Sequence, residues 1–123
     1  MSYVASDPES YADQSVGNGQ CVAFVCESAG APPTSQWKAG IKVRGNNTPT
    51  GTAIATFDEN GHYPSAATGN HAAIYINQSD EGLQVWDQWR NPHETHKVSK
   101  RTIHFRGGQG SPSNDGDAYS VIE

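Results

Sequence analysis

The sequence has few of the features that mark membrane, disulfide-rich or nucleic-acid-binding proteins. Its 123 residues include only two cysteines, and no apolar run approaches the roughly 18 residues of a membrane span. The first ten residues have neither a basic start nor an apolar stretch, so we expect no signal peptide and no span. Eight basic residues stand against 13 acidic ones, a net charge of −5. This acidic balance argues against nucleic acid as a partner.

The two cysteines, Cys21 and Cys26, do not suggest a structural cross-link. Both fall in one predicted helix, where their side chains point in different directions and do not meet disulfide geometry. The five histidines are scattered along the chain. We therefore expect no metal site and no other cofactor.

The order of the predicted elements indicates a single α+β domain over residues 1–123. An apolar helix is predicted at Gln20–Ala29, and Thr34–Gly45 is interpreted as a further helical turn. A helix followed by antiparallel strands is typical of a fold in which the helix packs on one face of the sheet. The strands are predicted from β-branched and aromatic runs at Thr52–Phe57, Ala72–Asn77, Leu83–Trp89, Thr102–Arg106 and Tyr119–Ile122.

Two polar stretches are predicted as loops. Asn91–Lys97 carries His93 and His96, both of which we expect at the surface, and Gly107–Asp117 is rich in Gly, Ser and Pro. The second loop is expected to be flexible.

Cys21 is the first candidate for chemistry. It follows a Gly-Asn-Gly-Gln break and opens the predicted helix, where unpaired backbone N–H groups and the helix dipole favour a negative charge. The same N–H groups could receive the oxyanion of an attacked amide carbonyl. The alternative is a small core residue, which is how we interpret Cys26.

His71 and Asp87 are the candidates for a base and its orienting group. His71 opens a predicted strand, and a histidine titrates near neutrality, which suits the general base to a thiol. A hairpin would bring Asp87 to the imidazole, where it would fix the tautomer and stabilise the imidazolium. Gln88 faces the other side of the strand and is the reserve candidate. The alternatives are a solvated histidine and an acid that faces water.

Three segments together resemble the cysteine, histidine and third-residue motifs of the CHAP and NlpC/P60 cysteine peptidases. They are Gly19–Val25, Gly69–Tyr75 and Val85–Trp89. The resemblance is closer still to the second family of type VI secretion amidase effectors, and it extends to Gly51–Phe57 and the terminal Val121–Glu123. It implies a papain-like fold with Cys21 as nucleophile and His71 as base. The identity of the third catalytic residue varies within the wider superfamily.

The resemblance further implies a bacterial toxin that is injected by the type VI secretion apparatus and acts in the target-cell periplasm. Its substrate would be peptidoglycan, cut at the cross-link between D-alanine and meso-diaminopimelate, and a cognate immunity protein would block the groove. We expect Gln20, Tyr63, Asn70 and Trp89 to contact the substrate, and Asp58–Asn70 to form one groove wall.

Two other functions are compatible with the sequence. In a non-catalytic cell-wall-binding module, Trp37, Trp86 and Trp89 would line a groove, and Cys21 would be a core residue. In a thiol deamidase or transferase, the same catalytic residues would act on protein amides.

Overall fold

The computed structural model describes residues 2–64 and 69–123, which contain one α-helix and six strands. The predicted α+β fold, with the helix on an antiparallel sheet, is confirmed. The elements in chain order are α1 (Cys21–Ala29), β1 (Ala39–Lys42), β2 (Ala53–Thr56), β3 (Ala72–Gln78), β4 (Gly82–Asn91), β5 (Glu94–His104) and β6 (Tyr119–Ile122).

All six strands join one sheet in the order β1-β6-β2-β3-β4-β5, and every neighbouring pair is antiparallel. Alternate side chains of β2 and β3 enter different core clusters, as the two-residue period of a strand requires. Ala72 and Ile74 lie in the cluster on the helix side, whereas Ala73 and Tyr75 lie in the other. The central strands β2 and β3 therefore present apolar side chains to both faces.

Small side chains allow α1 to lie close to the sheet. Phe24 and Val25 of the helix are fully buried in a cluster with Ala53, Ala55 and Ala72. Alanine adds little height to a strand surface, so the two helical side chains fill the space above it. This packing fixes the start of the helix relative to β3.

Backbone conformation sets both ends of the helix. Gly30 has a φ of 70°, and its N–H donates to the carbonyl of Cys26, as in the left-handed cap that commonly ends a helix. Gly19, two residues before Cys21, has a φ of 84°. A Cβ there would contact the Arg90 side chain at 3.2 Å, so the turn before the helix favours glycine on both grounds.

Three sequence interpretations require correction. Thr34–Gly45 contains a short 3-10 turn at Thr34–Gln36 and then strand β1, which is held by pairing with β6. The stretch Asn91–Lys97 is the tight end of the β4–β5 hairpin, with Asn91 opposite Glu94. Polar residues suit β5 because an edge strand meets solvent. His96 accordingly lies in a strand and is half-buried, while His93 is exposed as predicted.

The third correction concerns Gly107–Asp117, which holds the turn Pro112–Asn114 and the beginning of another at Gly116–Ala118. The buried Asp115 carboxylate accepts hydrogen bonds from the backbone N–H groups of Arg106, Gly108 and Asp117 at 2.7–2.9 Å. Burial opposes ionisation of this carboxyl, but the three donors lower its pKa. The loop is therefore organised around one carboxylate.

Gln88 connects β4 to the segment that precedes the helix. Its Oε1 accepts from the N–H of Val16 at 2.8 Å, and its Nε2 donates to the carbonyls of Val16 and Gln20 at 2.9 and 2.7 Å. The side chain is fully buried. Because Gln20 caps the helix, this amide sets the approach of the chain to Cys21.

We expect Gln88→Ala to lower the free energy of unfolding by about 2–4 kcal/mol, since it removes three hydrogen bonds of a fully buried amide and leaves the Val16 N–H without its partner. Gln84 lies on the same strand but is half-buried, and among the described residues its side chain bonds only to the Thr102 hydroxyl. Gln84→Ala should therefore cost less than about 1 kcal/mol. Urea unfolding of both variants measures the difference. Equal losses would show that Gln88 does not anchor this segment.

Candidate active site

Cys21 is the first residue of α1 and is half-buried, with a free thiol. The N–H of Ala72 and the hydroxyl of Tyr63 both interact with its sulfur, Tyr63 at 3.8 Å. The helix start thus faces the start of β3, where His71 lies.

His71 directly precedes β3 and is 6% exposed. Its backbone N–H donates to the Thr56 hydroxyl at 3.0 Å, and its carbonyl accepts from the Thr56 N–H at 3.0 Å. These bonds to β2 fix the backbone that carries the ring. The imidazole is consequently held in one position between Cys21 and Asp87.

The Asp87 carboxylate is fully buried and binds two cationic partners through one oxygen. Its Oδ2 lies 2.7 Å from His71 Nε2 and 2.6 Å from Arg101 Nε. Its Oδ1 is buried and has no partner among the described residues. With Nε2 directed at Asp87, Nδ1 is the ring nitrogen left for the thiol of Cys21, the order required of a nucleophile, a base and an orienting group.

The Cys21 thiol and the His71 imidazole change each other's ionisation. Burial opposes the thiolate, but the hydrogen bond and charge of His71, with the Ala72 N–H and Tyr63, lower the pKa of Cys21. Burial also opposes the imidazolium, yet the bonds and charges of Asp87 and Cys21 raise the pKa of His71 to about 9. Both shifts favour a thiolate–imidazolium pair near neutral pH.

Tyr63 forms the side of the site next to the thiol. Its ring packs edge-on against buried Trp37 at 4.9 Å and against Phe57 at 6.5 Å. Burial and the charge of Cys21 raise the pKa of the Tyr63 hydroxyl, which therefore stays protonated. Asn70 acts on this hydroxyl and also donates to the Pro64 carbonyl at 3.0 Å.

Trp89 forms the side next to the histidine. Its ring centroid lies 6.4 Å from that of His71, and the ring stacks on His96 at 3.7 Å. The guanidinium carbon of Arg101 lies 4.9 Å from the Trp89 ring centroid. Trp89 is half-buried, so part of it remains available to a ligand.

The remaining predicted contact, Gln20, and the reserve candidate, Gln88, lie away from the imidazole. Gln20 has an exposed side chain at the helix start, and its carbonyl accepts from Gln88. Gln88, the reserve candidate, bonds to backbone, whereas Asp87 reaches the imidazole. The predicted wall Asp58–Asn70 can be followed only in part, because residues 65–68 lie outside the described residues.

The tryptophan groove required by a cell-wall-binding module is not present as predicted. Trp37 is 1% exposed, and its Nε1 donates to the Pro32 carbonyl at 2.7 Å. It is a core residue. Cys26, which we interpreted as core, is instead half-buried, with its sulfur 3.6 Å from the same carbonyl.

Arg101 is the functional residue that the sequence analysis missed. It lies opposite Val85 in the β4–β5 hairpin, two positions along from Asp87 and on the same face of the sheet. The predicted fourth strand began at Thr102, one residue too late to include it. The alternation of Arg101 with Ile103 was the available signal.

The described part of the chain shows neither a metal-binding cluster nor a helix that could span a membrane. Among residues 2–64 and 69–123, no group of three or more His, Cys, Asp or Glu side chains could hold a metal ion. None of the helices described there is long and apolar enough to cross a membrane.

We expect the pKa of Cys21 to lie below that of an ordinary thiol and the pKa of Cys26 to lie above it. His71 favours the Cys21 thiolate, whereas burial raises the pKa of Cys26. In Cys26→Ala protein, iodoacetamide should alkylate Cys21 with a half-maximal rate below about pH 8.5. In Cys21→Ala protein, Cys26 should show its half-maximum above that pH. Mass spectrometry follows the alkylation of each protein as a function of pH. If the two pH profiles coincide, the proposed ion pair is contradicted.

The chain is similar to known proteins over its whole length. Residues 1–122 match the family described as "Domesticated amidase effector 2". The chain is 36% identical over 134 residues to the "Type VI secretion amidase effector 2 protein" of Salmonella typhi, with full coverage of both chains. It is 33% identical over 126 residues to "Domesticated amidase effector 2" of Ixodes scapularis, covering 96% of this chain and 82% of the relative.

A solved structure extends the similarity to the fold. The structure titled "Type 6 secretion amidase effector 2 (Tae2)" superposes with a TM-score of 0.84 at 36% identity, over 98% of this chain and 94% of that one. The papain-like α+β architecture expected from the motifs is confirmed by this match. The chain belongs to the type VI secretion amidase effector 2 family, as its sequence motifs predicted.

Proposed function

We propose that residues 1–123 form one cysteine amidase domain that hydrolyses peptidoglycan peptides at the cross-link between D-alanine and meso-diaminopimelate. The observation that carries this proposal is the continuous contact from the Cys21 thiol through the His71 ring to the Asp87 carboxylate. The family's amidase name supports the reaction class, and delivery by type VI secretion supports a bacterial target.

The first half of the reaction forms an acyl-enzyme. The Cys21 thiolate attacks the carbonyl carbon of the scissile amide, and the carbonyl electrons move to its oxygen. The backbone N–H of Cys21, at the positive end of α1, stabilises that oxyanion. When the carbon–nitrogen bond breaks, the His71 imidazolium protonates the leaving amine. A thioester to Cys21 and a neutral imidazole remain.

The second half releases the acyl group. Neutral His71 removes a proton from water, and the resulting hydroxide attacks the thioester carbonyl. Collapse of the tetrahedral intermediate expels the Cys21 thiolate and leaves the imidazolium, which restores the starting pair. Asp87 keeps the ring oriented and stabilises its positive charge in both halves. The mechanism uses no cofactor.

The two sides of the site support a substrate that extends in both directions from the thiol. Tyr63 and Asn70 lie on the Cys21 side, and Trp89 lies on the His71 side. A cross-link joins two stem peptides, so it needs contacts on both sides of the scissile bond. Gln20, exposed at the helix start, is a fourth contact.

We place this reaction in the periplasm of a target cell, reached by injection from the cytoplasm of the producer. A cell that makes such an enzyme must protect its own wall. We therefore propose a cognate immunity protein that covers the groove between Tyr63 and Trp89.

Cys21→Ala and His71→Ala should each reduce digestion of diaminopimelate-type sacculi by about a thousandfold or more, because the nucleophile and base act as a unit. Chromatography and mass spectrometry of the wild-type digest should show loss of tetrapeptide–tetrapeptide dimers and a matching gain of tetrapeptide monomers.

Cys26→Ala is the matched control, since it removes the other thiol of the same helix and should keep near wild-type activity. Retained activity in Cys21→Ala would contradict the mechanism. Accumulation of dipeptide-bearing monomers would contradict the assigned bond and indicate cleavage after D-glutamate.

A further inference from the structure

A small cavity of about 190 Å³ lies beside the catalytic residues and is not used by the mechanism above. It is lined by Trp89 and Arg101 from the hairpin and by Ser113 and Asn114 from the loop that precedes β6. Trp89 lines this cavity and also packs beside His71 in the active site. A group bound in the cavity would therefore lie close to the reacting amide.

Arg101 uses only part of its guanidinium to hold Asp87. Its Nε donates to Asp87 Oδ2 at 2.6 Å, whereas neither Nη nitrogen has a hydrogen-bond partner among the described residues. The side chain is 25% exposed, and its plane is supported by the Trp89 ring. The guanidinium thus retains Nη donors, and Arg101 is one of the residues that line the cavity.

The loop supplies further hydrogen-bonding groups and no acid to the cavity. The Asn114 carbonyl accepts from Arg106 at 3.0 Å, but its side-chain amide has no partner in the described part of the chain. The Ser113 hydroxyl exchanges a bond only with Ser111, at 2.9 Å. The nearby Asp115 carboxylate is occupied by three backbone N–H groups, which keeps the loop in place.

We propose that this cavity binds the free carboxylate of D-glutamate or of diaminopimelate in the stem peptide through the Nη groups of Arg101 and the Asn114 amide. The inference rests on the proposed function, because it names what a peptidoglycan substrate would place there. A guanidinium fork is well matched to a carboxylate. Stem peptides carry such carboxylates on D-glutamate and on diaminopimelate, on either side of D-alanine cross-links. In a protein with a net charge of −5, a local cation offsets the repulsion of an anionic substrate.

The test measures binding separately from turnover. Calorimetry on Cys21→Ala protein would compare a cross-linked muropeptide dimer with two matched dimers, one amidated at D-glutamate and one at diaminopimelate. Charge-assisted hydrogen bonds of this kind change affinity by about tenfold or more. We expect one amidated dimer to bind about tenfold more weakly, and the affected dimer identifies the carboxylate.

Second-site variants assign the effect to the cavity. Asn114→Leu, added to Cys21→Ala, should reduce the difference between acid and amide without touching Asp87. Arg101→Gln should remove the difference, and it also takes one partner from Asp87. Gln109→Leu, an exposed change in the same loop, should preserve the difference. Thermal unfolding of each protein checks that the loop remains folded.

The outcomes separate this inference from the proposed function. Equal affinity for all three dimers, no measurable binding, or a full difference that survives Arg101→Gln in a folded protein would overturn the carboxylate site. If the acid–amide difference is present but wild-type enzyme does not hydrolyse the dimer, the subsite stands and the proposed reaction is wrong.

Discussion

A fully buried carboxylate organises this molecule. Asp87 has no exposed surface and is shared by His71 and Arg101 through one oxygen. Removing one partner of such a buried pair typically costs about 3–5 kcal/mol, because the remaining charge is left uncompensated. The β4–β5 hairpin, which brings Arg101 to Asp87, is therefore part of the active site as well as of the fold. The same arrangement holds His71 in the orientation that a thiol nucleophile needs.

Polar and apolar contacts cooperate to place the nucleophile. Alanines on β2 and β3 let the helix lie close to the sheet, and Gln88 ties the preceding turn to β4. The register between β4 and β5 shifts between Asp87 and Trp89, where Asp87 and Gln88 are both buried although adjacent in sequence. One short stretch of β4 thus orients the base on one side and anchors the start of α1 on the other.

Short-range patterns in the sequence predicted the helix, the central strands and the family. Gln20–Ala29 differs from the observed helix by one residue, and Tyr119–Ile122 matches β6. These segments carry strong local signals: a glycine stop, β-branched runs and apolar periodicity. The sequence also singled out Cys21, His71 and Asp87, which the structure brings into contact. Their catalytic roles remain the proposal made above.

Features that depend on distant pairing were not predictable in the same way. β1 forms because β6 lies beside it, and the first half of β5 forms because β4 continues past Trp89. Arg101 reaches Asp87 only through that hairpin register. The order in Gly107–Asp117 comes from one buried carboxylate that bonds to backbone, for which composition gives no signal.

The mechanism depends on a thiolate–imidazolium pair between Cys21 and His71 that Asp87 supports. Nitrogen NMR of the His71 ring, recorded as a function of pH, tests it most directly. His71 in the wild-type protein should remain protonated through neutral pH and titrate near pH 9. In Cys21→Ala protein the titration should move to lower pH, because the negative partner is gone while burial still opposes the charge. A His71 ring that is already neutral at pH 7 in the wild type would contradict the account.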